Sequence, residues 1–130
     1  MKLLFLLLIL SIAPSAHADP APPDCTAPSE WRVIFECRRI LYNERSKVLA
    51  ELYAAALEGE PEPNGLDNRK GKPQLILSQK AWQAYVDANC DYVGGKQGGS
   101  NQWVSYFAFE CVLEEVQKRI DFFKNPPHGG

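Results

Sequence analysis

Histidine is almost missing from this chain, which holds His17 and His128 and no third. The first falls in a leader read below as cleaved and the second in a glycine-ended tail. The folded part is therefore left without the commonest general base and the commonest metal ligand. Cys-x-x-Cys is missing too: eleven residues separate Cys25 from Cys37, and twenty separate Cys90 from Cys111. Structural zinc sites pair cysteines about two to four residues apart, so neither zinc nor a dithiol redox centre is expected. No sign of charge dominates, with 14 Lys and Arg against 16 Asp and Glu. That balance leaves no electrostatic footprint for nucleic acid, and Arg69-Lys70-Gly71-Lys72, beside Asp67, reads as a solvated linker. Strand alternation and internal repeats are also missing, which excludes sheet and solenoid architectures. Carboxylate pairs such as Glu110 with Glu114 lie on a charged helical run and read as its solvated face. No catalytic residue, cofactor or metal is expected, and the chain is read as a non-enzyme.

One long apolar run exists, from Leu3 to Ile12, after Met1-Lys2 and before Ala16-His17-Ala18. A basic start, a short apolar stretch and an A-x-A site describe a secretory signal over residues 1–18, cleaved after Ala18. Ten apolar residues cover only about 15 Å of helix, half the hydrocarbon thickness, so a membrane span is not expected. No cysteine stands at the cleavage point, so no lipid anchor is expected either. The mature chain is expected to be soluble, in the periplasm or secreted. It loses only Lys2 among charged residues, leaving thirteen basic against sixteen acidic side chains and a formal charge of −3.

In an oxidising compartment an even number of cysteines argues for disulfides. Cys25, Cys37, Cys90 and Cys111 would form two bridges, and four cysteines allow three pairings. If the first two helices form an antiparallel hairpin turning near Gly65, Cys37 and Cys90 stand at similar distances from the turn. Cys111 lies about 15 Å into its helix, far from Cys90 if the preceding helix stops at Gly94. This geometry favours Cys37–Cys90 and Cys25–Cys111.

Residues 19–28 hold four prolines and read as an extended leader tethered by Cys25. Three stretches carry helical periodicity. The first, over 29–57, is capped by Ser29 and carries Trp31, Ile34, Phe35, Leu41, Tyr42, Leu49, Leu52 and Tyr53 on its stripe. Pro61, Pro63 and Gly65 break the chain, and the connection runs over 59–73. The second helix, over 74–93, places Gln79, Trp82, Tyr85, Val86, Asn89 and Cys90 on one face and ends at Gly94. The third, over 101–124, uses Trp103, Val104, Phe107, Cys111, Val112, Val116, Ile120 and Phe123 and stops before Pro126. The fold class is all-α, a small bundle of three helices over 29–124, with a frayed tail at 125–130. The aromatic residues at helical spacing read as core, and Gln79 and Asn89 as side chains bonding between helices.

Ser78-Gln79-Lys80-Ala81-Trp82, Tyr85, Asp87 and Cys90, followed by Gly98-Gly99-Ser100, Cys111 and Arg119, resemble the LprI-type family named after a lysozyme-inhibitor lipoprotein. Cys25, Cys37 and the Val48–Tyr53 run resemble that family's first helix, so the likeness covers 24–123. The resemblance implies a protein partner, a lysozyme or another muramidase, inhibited by occlusion of its cleft. Such a cleft presents two carboxylates. The link Gly94–Ser100 follows a helix and lacks the phosphate-loop order. Within it Lys96, Gln97 and Ser100 offer an ammonium, an amide and a hydroxyl as the partner-binding set. The alternatives are an envelope interaction or assembly factor and a toxin-immunity protein, neither inhibiting lysozyme. Oligomeric state does not follow from the sequence.

Overall fold

The computed structural model describes residues 23–27, 29–60 and 71–126. The leader over 1–18, half of the proline-rich stretch, the centre of the 59–73 connection and the last four residues lie outside them. The described residues form three helices and no strand, α1 (Trp31–Gly59), α2 (Lys72–Gln97) and α3 (Asn101–Lys124).

Local chemistry sets the ends. Glu60, at the end of α1, is extended at φ −80 and ψ 139, as a residue before proline must be. Gly71 precedes α2 at φ 87, and Pro73 follows in the first turn, where a missing amide costs nothing. Past α3, Asn125 donates its backbone N–H to Asp121 at 2.9 Å and Pro126 prevents continuation. The expected Ser29 cap does not form, and the hydroxyl of Ser100 caps no helix either. Glu30, not Ser29, occupies the first cap, and at Ser100 the backbone carbonyl, not the hydroxyl, accepts the amides of Trp103 and Val104.

α3 is the central element, and α1 and α2 each pack on it rather than on one another. α1 runs parallel to α3: Trp31 meets Trp103, Arg38 meets Glu110 and Tyr53 meets Phe123. α2 runs antiparallel to it, with Gly94 against Val104, Cys90 bonded to Cys111 and Gln79 against Arg119. Leu49, Val116 and Ile120 form one buried cluster, with Trp82, Tyr42 and Phe123 packed around it. Val86, Cys90 and Cys111 form a second, sharing Trp82 and Val112. Glu110 faces α1 rather than solvent: Arg38 Nε lies 2.6 Å from its Oε1, an ion contact without hydrogen-bond alignment. A hydrogen bond with Tyr106 raises the Arg38 pKa further, so the guanidinium stays charged in this half-buried seam.

The disulfides are Cys25–Cys37 and Cys90–Cys111, not Cys37–Cys90 and Cys25–Cys111. Two features explain the difference. α1 and α2 are not packed as a hairpin, so Cys37 has no route to Cys90. And α2 does not stop at Gly94 but continues to Gln97, turning only at Gly98 and Gly99. From that later turn Cys90 and Cys111 stand at comparable heights, and their Cα atoms are 5.4 Å apart. Gly94 is buried inside the helix, because a Cβ there would lie 2.6 Å from the Val104 carbonyl oxygen. The glycine that reads as a helix stop is a close-approach glycine.

Candidate functional site

The α2–α3 hairpin ends in three residues, Gly98, Gly99 and Ser100. Gly98 and Gly99 have φ 69 and 96, values open to glycine and costly for other residues. That turn brings the expected binding set to one end of the molecule: Lys96 and Gln97 close α2, Ser100 precedes α3, and all three are exposed. The tip is stiffened from three directions. The Cys90–Cys111 bridge staples the hairpin below it. Gly94 lets the helices close above that bridge. An aromatic group then locks the tip to α1: Trp31 lies 4.8 Å from Trp103 and 5.4 Å from Tyr106, and Trp103 stacks on Phe107 at 5.9 Å.

Trp103 stands at the tip rather than where its helical spacing places it. It was expected in the core, yet it remains 47% exposed beside the Gly-Gly turn. A glycine pair immediately before a helix marks a hairpin tip, and an aromatic residue in the first turn after it is poised to stay partly outside. Tyr85, also expected in the core, is 51% exposed on the outer face of α2. An ammonium, an amide, a hydroxyl and an indole on a rigid protrusion can fill a polar cleft and pair with its acids. Among the described residues no group of three His, Cys, Asp or Glu could hold a metal, and no helix is long and apolar enough to cross a membrane.

The far end of the hairpin explains the Ser78-Gln79-x-x-Trp82 spacing. Arg119 of α3 is buried; its Nε donates to Gln79 Oε1 and its Nη2 to Ser78 Oγ, both at 3.0 Å. Its guanidinium also lies over Phe122, Phe123 and Trp82, at 4.8, 4.9 and 5.7 Å from the ring centroids. Burial pushes its pKa down, but an arginine starts so high that the charge persists. Gln79 thus bonds between helices as its place on the apolar face suggested, and Asn89 makes a weaker contact, Nδ2 to Cys111 Sγ at 3.8 Å. Arg119→Ala is expected to cost about 2–3 kcal/mol, because it orphans two half-buried acceptors and strips three aromatic faces. Arg119→Lys recovers only part, since an ammonium cannot span both acceptors while stacking. Equal urea midpoints for wild type and Arg119→Ala would refute this.

Between α1 and α2, over the floor made by Val112 and Val116, runs an open groove of about 290 Å³ lined by Tyr42, Tyr53, Gln79 and Trp82. Ser46 and Gln83 add polar groups to it, and Gln79 and Gln83 are already engaged, by Arg119 and with Asp87.

Comparison with known proteins gives one match. The family model described as lysozyme inhibitor LprI matches residues 25–123, from the first cysteine to the last turn of α3. No curated protein and no solved structure matches the chain.

Proposed function

The chain belongs to the lysozyme inhibitor LprI family, and from that premise we propose that it is an exported, non-enzymatic protein that inhibits a lysozyme or a related peptidoglycan-cleaving enzyme by occluding its cleft. The signal-like leader and the two disulfides support an extracytoplasmic location, since such bridges persist in oxidising compartments. The observation that carries the inhibitory reading is the hairpin tip. Lys96, Gln97 and Ser100 project from a turn braced by a disulfide, a helix–helix close approach and an aromatic lock. A rigid protrusion loses little entropy on binding, so its contacts convert more fully into affinity. Lys96 is the natural partner for the two catalytic carboxylates of a muramidase, and Ser100 supplies a short donor beside it. The mild net acidity of the chain assists encounter with cationic lysozymes.

Lys96→Ala with Ser100→Ala is expected to raise the concentration needed for half-inhibition about tenfold or more, the loss of roughly 1.4 kcal/mol or more. Helicity should stay as in wild type, because neither side chain caps a helix or packs inside. The measurement is light scattering of a peptidoglycan suspension during lysis, with circular dichroism alongside. Undiminished protection by the double variant would remove the tip from the contact.

A further inference from the structure

The outer face of α2 carries an apolar stripe that the fold leaves open. Leu77, Tyr85 and Tyr92 are 58%, 51% and 66% exposed, and the exposed Ala81 and Ala88 fall between them. These five recur at intervals of four, four, three and four residues. On a helix they occupy an arc of about 80° over roughly 22 Å, the pattern of a seam rather than of scattered apolar residues. The stripe is centred away from α3, because the opposite face of α2 carries the buried Val86, Cys90 and Gly94; at its edge Tyr85 comes within electrostatic reach of Lys118 on α3, whose ammonium is held by Glu115 at 2.8 Å.

The charges beside the stripe identify its occupant. Lys80 and Asp91 are exposed and eleven residues apart, which places them about 20° apart on the same flank. Among the described residues neither has an ion-pair partner within the chain, whereas Asp87 is held by Gln83 at 3.0 Å. In antiparallel helix pairing, residues of one flank meet the same flank of the other helix. A two-fold axis through Tyr85 therefore sets Lys80 opposite the partner's Asp91, twice. The same axis sets Tyr85 beside the partner's Tyr85, Ala81 beside the partner's Ala88 and Leu77 beside the partner's Tyr92. Small residues thus meet small ones at the closest approach, and large apolar residues meet at the ends. One operation satisfies the apolar, steric and electrostatic patterns together, as a self-complementary surface must.

We propose that the occupant is a second copy of this chain, forming an antiparallel dimer through α2. The two hairpin tips then lie at opposite ends of the dimer, each beside the first turn of the partner's α2. A single-helix seam is a small interface, and the equilibrium belongs to the weak class.

Sedimentation equilibrium of the disulfide-bonded chain tests this. The average mass is expected to climb from one chain toward two between about 10 µM and 1 mM, the range of weak associations. Tyr85→Glu, on an exposed position that leaves the fold intact, should raise the dimer dissociation constant at least about tenfold. Lys80→Asp alone should weaken association severalfold, and Lys80→Asp with Asp91→Lys should restore it, a rescue that a merely structural role would not produce. A chain that stays monomeric to about 1 mM overturns the proposal, whatever other helix or partner then takes the stripe. A dimer indifferent to Tyr85→Glu and to the charge exchange overturns it equally.

Discussion

Gly94→Ala is expected to lower the melting temperature by about 8 °C, although alanine is the better helix former. Propensity alone favours the substitution by about 1 kcal/mol. Against it, the new Cβ would lie 2.6 Å from the carbonyl oxygen of Val104 and 2.8 Å from the Ala108 Cβ. Neither is the end of a flexible side chain, so α2 must move off α3, and overpacking of this kind costs about 1–3 kcal/mol and at times more. With both neighbours rigid the cost falls at the top of that range, and the net loss of about 2 kcal/mol converts to the stated shift for a domain of this size. Gly95 supplies the control, because nothing lies within 4 Å of a Cβ there. Gly95→Ala should gain about 0.5–1 kcal/mol. The two adjacent glycines are thus expected to respond with opposite signs, and thermal melts of both variants decide it. A Gly94→Ala protein as stable as wild type would mean that α2 and α3 do not approach this closely.

The second large effect concerns the buried bridge. Cys90→Ala with Cys111→Ala is expected to cost about 4 kcal/mol: about 3 from loop-closure entropy and the rest from emptied volume. Cys90 is 1% exposed and Cys111 9%, and both pack with Val86 against Trp82, Val93 and Val112. Cys25→Ala with Cys37→Ala should cost only about 1–2 kcal/mol, less than its loop length suggests. Cys25 is exposed, and once released the leader regains freedom in the folded state as well as in the unfolded one. Urea titrations of the two double variants measure the difference. Equal losses, or a larger one for the outer bridge, would contradict the assignment of the hairpin staple.

Much of the fold was legible in the sequence because apolar periodicity and proline punctuation act locally. The three helices and the stop before Pro126 follow from such signals. The Gln79 and Asn89 contacts were legible too, since polar groups on an apolar face must find partners. Gly94 was misread because a sequence shows a glycine's lack of Cβ but not what the lack is for. Ending α2 there shortened the hairpin and displaced the disulfide pairing with it. The arrangement of α1 beside α3 rather than α2 is a tertiary choice with no local signature. Trp103 and Tyr85 share the periodicity of core residues and differ only in which neighbours the bundle provides. That Lys96, Gln97 and Ser100 stand exposed at one turn follows from the glycines around them, while the exposure of Trp103 has no such local signal.

The arrangement makes the hairpin tip a preorganised wedge, and the proposed inhibition requires that wedge to enter a substrate cleft. Isothermal titration of the disulfide-bonded chain into lysozyme, with and without a short substrate oligosaccharide filling the cleft, tests this most directly. One binding site per tip is expected, with loss of binding as the oligosaccharide saturates the enzyme. Binding that persists unchanged with the cleft filled, or no binding to any lysozyme, would contradict it.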